Sequence, residues 1–204
     1  MFGRFLDRFP PEHAEGCSGE ELRVLIDPLP RGFADLMVRH AGASFGEGVY
    51  RLFTPPEVPR WTALAEEAFP EVSDSVACFG MDWTGRQFAL DVRREEGGEP
   101  LTLMFDIGAG ETVEIPATFV GFHDEALIEF PDTLLSLGLY TAWRAHGGLP
   151  PAHSKCVGWR LPLFLGGEEE ASNLVAHDAE SYWRDLAEQL ARVRTGGAGT
   201  TAVG

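Results

Sequence analysis

Apolar and polar residues change rhythm repeatedly along this chain, and each change marks a predicted element. Phe2, Phe5, Leu6 and Phe9 fall at helical spacing, and the prolines at 10–11 stop that helix. "SGEEL" offers a capping box, Ser18 with Glu21, ahead of a short buried face of Leu22, Leu25 and Ile26. Phe33, Leu36, Met37, His40 and Ala41 predict an amphipathic helix closed by Gly42. "GEGVYRLFT" alternates as a strand. In "PPEVPRWTALAEEAFP", Trp61, Leu64, Ala65 and Ala68 share a helical face, with Glu66 and Glu67 outside it and Pro70 ending it.

The period then shortens to two. "SVACFGMD" and "RQFALDVR" are joined by "WTG", "EEGGEP" leads into "LTLMFD", and "IGAGE" turns into "TVEIP". Phe88, Leu90 and Val92 share one strand face, and Leu101, Leu103 and Phe105 share another. Short glycine-containing connections imply an antiparallel meander. "TFVGFHDEALIEF" reads as a short helix. Asp132 is placed to cap a longer one that Gly147-Gly148 ends. "CVGWRLPLFLGG" predicts one more strand and a bend. Asp178 then caps a last helix bearing Tyr182, Leu186, Gln189 and Leu190.

The expected fold class is α+β: a mostly antiparallel twisted sheet flanked by helices. A seam at "PEVSDS" separates a helical region with one strand, residues 1–72, from an α+β region, residues 73–194. The small, polar end, residues 195–204, is expected to be a disordered tail.

Charge narrows the partners. The chain carries 32 Asp and Glu against 16 Lys and Arg, and residues 61–140 hold 16 of the acids with three arginines. Phosphates repel such a surface, so direct binding of nucleic acid or anionic membrane is not expected. A basic protein partner is, because opposite fields steer encounter. Cys17, Cys78 and Cys156 are odd in number and widely spaced, which fits neither a disulfide framework nor a metal motif and points to the cytoplasm. Apolar runs reach about five residues, against about 20 for a membrane span.

Catalytic motifs are scarce. "GAG" at 108–110 lies between two strand patterns and reads as a hairpin turn, not a nucleotide loop. His123, Asp124 and Glu125 are adjacent, so they diverge on a helix; a metal site would need His123 to meet His177 and Asp178 through the fold. No nucleophile elbow is present, and Cys78 and Cys156 read as buried fillers. No catalytic residue, cofactor or metal is expected. The alternative is an enzyme or nucleotide-binding protein with a site dispersed around the sheet.

What remains is a surface. Asp82, Asp91, Asp106, Glu111, Glu114, Asp124, Glu125 and Glu129 fall in or beside the meander, and several can share a side. The turn in "FGMDWTGRQF" adds Trp83 and Arg86. The expected partner-binding set is Asp82, Trp83, Arg86, Asp106, Glu111, Glu114, Asp124 and Glu125. Two structural alternatives stay open: Trp83 packs beneath the hairpin, and Arg86 ties the turn to Asp82.

Four stretches carry a family resemblance: "FGMDWTGRQFALD", "GETVEIPATFVGFHDEALIEFPD", "CVGWRLPLFLGGEEEASNL" and "DAESYW". In this order, over about residues 75 to 190, they resemble the C-terminal domain of bacterial immunity proteins paired with type VI secretion DNase effectors. "LPRGFADLMVRHAGASFGEGVYRLFTPPEV" resembles the GAD-like domain that precedes it, and the layout is similar to the SUKH immunity superfamily. The resemblance implies a cytoplasmic antitoxin without catalysis. Its partner would be a toxin, a basic nuclease domain or an NAD-cleaving one.

Overall fold

The structure, a computed structural model, describes residues 1–23, 25 and 28–198. Ile26, expected on a buried helical face, and residues 199–204 lie outside the described residues. The chain opens with α1 (Gly3–Arg8), β1 (Pro11–Glu12), α2 (Gly19–Arg23) and α3 (Phe33–His40). Two short strands, β2 (Ser44–Phe45) and β3 (Tyr50–Leu52), lead to α4 (Glu57–Ala68). The meander follows as β4 (Val76–Asp82), β5 (Gln87–Glu96), β6 (Glu99–Asp106) and β7 (Glu111–Thr118). A helical run comes next: α5 (Phe119–Gly121), a wide π turn (Phe122–Ala126), α6 (Leu127–Glu129), α7 (Pro131–Leu135) and α8 (Leu137–Ala145). The chain ends with β8 (Lys155–Trp159), β9 (Leu174–Asp178) and α9 (Ala179–Ala198).

The fold is α+β. Seven strands pair antiparallel in chain order, β1 to β7, and β8 pairs with β9 in a second small sheet. β3 lies before residue 72 and pairs with β4 after it, Tyr50 opposite Asp82, so one sheet runs across the expected seam. The first region holds three strands, not one. β1 and β2 are two residues each, too short to show a period.

Alternation along the central strands sends side chains to two different cores. Phe88, Leu90 and Met104 join Phe5, Phe33, Leu36, Phe119, Leu127 and Leu135 from α1, α3 and the helical run. Ala89, Leu103 and Phe105 join Trp61, Leu64, Trp183, Leu186 and Leu190 from α4 and α9. The sheet is therefore covered by helices on both faces. Val92, expected beside Phe88 and Leu90, is exposed instead, because β5 bulges between Asp91 and Glu95 and leaves the core.

Several helix ends follow their sequence signals. Ser18 Oγ accepts the Glu21 amide at 3.3 Å, and Glu21 accepts the Ser18 amide at 2.8 Å. Asp178 accepts the Ser181 amide at 3.1 Å at the start of α9. The helix expected from Asp132 is broken in two at Ser136, whose φ is 47°. Asp132 accepts the Gly138 amide across that break, at 2.8 Å. α9 runs through Ala198, into the expected tail, and Arg194 from its last turns donates to the Ala68 carbonyl at 2.7 Å.

His123 shows how the helical run locks onto the sheet. It is fully buried on the π turn, with the rings of Phe2, Phe5, Tyr50, Phe79, Phe119 and Phe122 around it. Its Nδ1 donates to the Phe119 carbonyl at 2.8 Å, so Nε2 is the acceptor for the Tyr50 hydroxyl at 2.9 Å. Burial holds the imidazole neutral and pushes its pKa down to about 4.

The unfolded chain, with an ordinary His value of about 6.5, binds this proton more readily. Stability is thus present at neutral pH and lost as pH falls from about 6.5 towards 4. Urea unfolding should show a loss on the order of 2 kcal/mol from this residue between pH 7 and pH 5. His123→Gln, which keeps a donor and an acceptor, should be less stable at pH 7 but flatter across that window. An equally steep profile in the variant would refute the assignment.

Candidate functional site

The turn Asp82–Arg86, expected to be exposed, is among the most buried parts of the molecule. Asp82 and Trp83 are 0% exposed, and the Arg86 side chain is 11% exposed. One Asp82 oxygen accepts the amides of Thr84 and Arg86 and the Thr84 hydroxyl, at 2.8–2.9 Å. The other accepts Arg86 Nε at 2.7 Å. Gly85 sits at φ 95°, and a Cβ there would lie 3.3 Å from Cys156 Sγ, so conformation and space both call for glycine.

This turn is a junction. The Trp83 amide donates to Val49 O and its indole Nε1 to Leu135 O, at 2.9 and 2.8 Å. Trp83 O accepts from Val157 N, and Gly85 O accepts from Trp183 Nε1 at 2.7 Å. Arg86 reaches Leu134 O at 3.1 Å. Burial alone would lower the Arg86 pKa, but Asp82 and Asp106 carry it above its usual value. Of the two alternatives open for this turn, packing of Trp83 and pairing of Arg86 are what the structure contains. Asp82 and Trp83 have no surface to offer a partner, because both are enclosed and their polar groups bond inward.

Arg51, which no sequence signal singled out, extends the junction. It is 1% exposed and donates to the carbonyls of Asp82, Ala152, His153 and Lys155. Burial lowers its pKa, and nearby Asp82 and Glu57 counter that. It pins β3 to the segment that enters β8.

The other expected site residues divide. Asp106 is half-buried, accepts the Ala109 amide at 2.9 Å and shapes the β6–β7 turn; burial raises its pKa and Arg86 partly offsets this. Asp124 accepts the Phe5 amide at 3.1 Å and tethers α1. Asp91, one of the meander's acids outside that expected set, is 1% exposed and takes up Arg93 and Arg94 at 3.1 and 2.9 Å; burial would raise its pKa, but these bonds hold it below the usual range. Glu111, Glu114 and Glu125 are exposed.

Glu125 and Glu129 line a groove of about 390 Å³ beside β7, and Glu114 borders it from the strand's opposite face. Val113, Ile115 and Leu134 give it an apolar floor, and Phe130, 59% exposed, stands at its lip. Sequence reasoning did not find this groove. "TVEIP" carried the signal: its alternate Val113 and Ile115 face the helical run, and as the last strand of the meander it has no later neighbour.

Potential chemistry elsewhere is tied up in structure. Among the described residues no three His, Cys, Asp or Glu side chains converge for a metal. His123 packs among the rings of the helical-run core, whereas His177 lies against Tyr182 of the other core, at 4.6 Å between ring centres. Cys78 and Cys156 are buried free thiols; burial pushes Cys156 up to about 12. Glu57 pairs with His153 at 3.1 Å beside a shallow cavity, yet the same oxygen accepts the Thr54 amide and hydroxyl and ties the loop before α4 to its first residue.

No family model matches the chain, and comparison with curated proteins returns no match. Among solved structures, this seven-stranded α+β architecture is similar to that of Atu4351 from Agrobacterium tumefaciens. The likeness covers 92% of this chain and 88% of that one, at TM-score 0.61 and 15% identity, which shows a shared fold. Among the described residues no helix is long and apolar enough to cross a membrane.

The two kinds of acid should separate in mutagenesis. Asp82→Ala leaves Arg86 buried without its partner and should cost about 3–5 kcal/mol in urea unfolding. Glu111→Gln and Glu125→Gln should stay within about 0.5 kcal/mol of the parent. Similar costs for all three would contradict the division between buried and exposed acids.

Proposed function

We propose that this protein is a non-catalytic immunity protein that binds and neutralises a basic bacterial toxin in the cytoplasm, a nuclease domain being the first candidate. The observation that carries this reading is the division of the acids. Asp82, Asp91 and Asp124 are engaged by the fold, while Glu125 and Glu129 stand exposed around an apolar groove and Glu114 stands exposed on the other face of the same edge strand. A charged rim around an apolar floor matches the anatomy of a binding surface. Nucleases carry cationic clefts for phosphate, so such a rim would both attract one and compete with its substrate. The family resemblance of the meander and the chain's formal charge of −16 support the same reading.

Inhibition by binding also suits the interior. The buried His123, Cys78 and Cys156 are enclosed, and the Asp82–Arg86 and Asp91–Arg94 pairs hold the fold together.

Co-expression with a toxin-like gene beside its own should restore growth, and the two proteins should co-purify. Glu114→Lys, Glu125→Lys and Glu129→Lys together should slow association by about tenfold at low salt and reduce its salt dependence. Absence of both rescue and complex would overturn the reading. Rescue with unchanged association in the triple variant would move the binding face elsewhere.

A further inference from the structure

We propose that the free edge of β7 captures one extended segment of a basic partner by strand addition, with the groove taking that segment's alternate apolar side chains. This rests on the immunity reading and specifies how the partner is held. β7 stands last in the sheet order and, among the described residues, pairs only with β6. An edge strand presents unpaired backbone groups to any chain that can lie beside it.

The geometry limits the contact to the first part of the strand. Thr102 lies opposite Ile115 and Leu101 opposite Thr118, so Pro116 and Ala117 are extra residues in a bulge. Proline has no N–H to offer, and pairing ends there. Glu111–Ile115 remains, enough for about five residues of added strand.

Its two faces differ. Val113 lies opposite Met104, on the side of the helical run, where Ile115 and Phe130 continue the groove. Glu114 lies opposite Leu103, on the other side. Side chains of an added strand alternate between these surroundings. One set meets an apolar floor; the other passes a carboxylate that is 73% exposed.

Charge decides the occupant. Glu114, Glu125 and Glu129 surround the edge; Arg94 comes within 3.8 Å of Glu114, and Arg4 within 3.6 Å of Glu129. A second copy paired through β7 would bring Glu111 and Glu114 of both chains onto one seam, where like charges repel. A segment alternating Val, Ile, Leu or Phe with Lys or Arg has the complementary pattern.

The test uses the full chain and a fluorescent peptide of alternating valine and lysine, about ten residues long, followed by anisotropy. The peptide should bind. N-methylation of alternate amides, or glutamate in place of lysine, should weaken it at least about tenfold. Glu114→Lys with Glu129→Lys should do the same at an unchanged melting temperature, and hydrogen exchange should slow at residues 111–115 on binding.

No binding, equal binding of the N-methylated peptide, or protection confined to another region would each overturn strand addition. A dimer that the peptide fails to displace would assign the edge to a second copy and overturn it equally. The peptide arm needs no toxin, so the two readings fail separately. Peptide binding without growth rescue removes the immunity function alone, and rescue without peptide binding removes strand addition alone.

Discussion

The ion pair between Asp82 and Arg86 is the constraint on which the molecule depends. A buried carboxylate is expensive unless its oxygens are occupied, and here each one is. With Asp82 satisfied by its own turn, the turn's outward backbone groups are free to receive Val157 and Trp183 Nε1. Helices from both faces, the small sheet and β3 thereby meet at one five-residue loop. A solvated version of the same hairpin would leave α7, α9 and β8 without their shared anchor.

The central meander was legible because its strands are long and their connections short. Phe88 with Leu90, and Leu103 with Phe105, alternate clearly enough to assign faces. The helices α3 and α4 and the start of α9 were likewise readable from spacing and caps. β9 was not predicted, because five residues ending in His177 and Asp178 carry little pattern. Its partner strand also lies across a long bend, with Val157 opposite Ala176. The break at Ser136 was hidden too, since a left-handed serine leaves no mark in the periodicity.

The site was harder to read for a related reason. Sequence shows where acids are dense but not which are spent on internal bonds. Asp82, Asp91 and Glu111 look alike as letters, yet two are buried and one is exposed. Trp83 and Arg86 have the chemistry of interface anchors, and the same qualities of area and multiple donors suit them to an interior junction. The groove depends on which strand ends the sheet and on how Phe130 and Leu134 fold back beside it, both tertiary facts.

The junction also sets an order of events during synthesis. The turn at 82–86 is made early, but Leu135, Val157 and Trp183 supply its distant contacts. Closing such long loops costs chain entropy before the contacts repay it. Trp183 follows its acceptor Gly85 by 98 positions. A ribosome adding about 5–20 residues per second takes about 5–20 s to cover that stretch. For that interval the nascent chain lacks the Trp183 indole that occupies the Gly85 carbonyl in the folded protein.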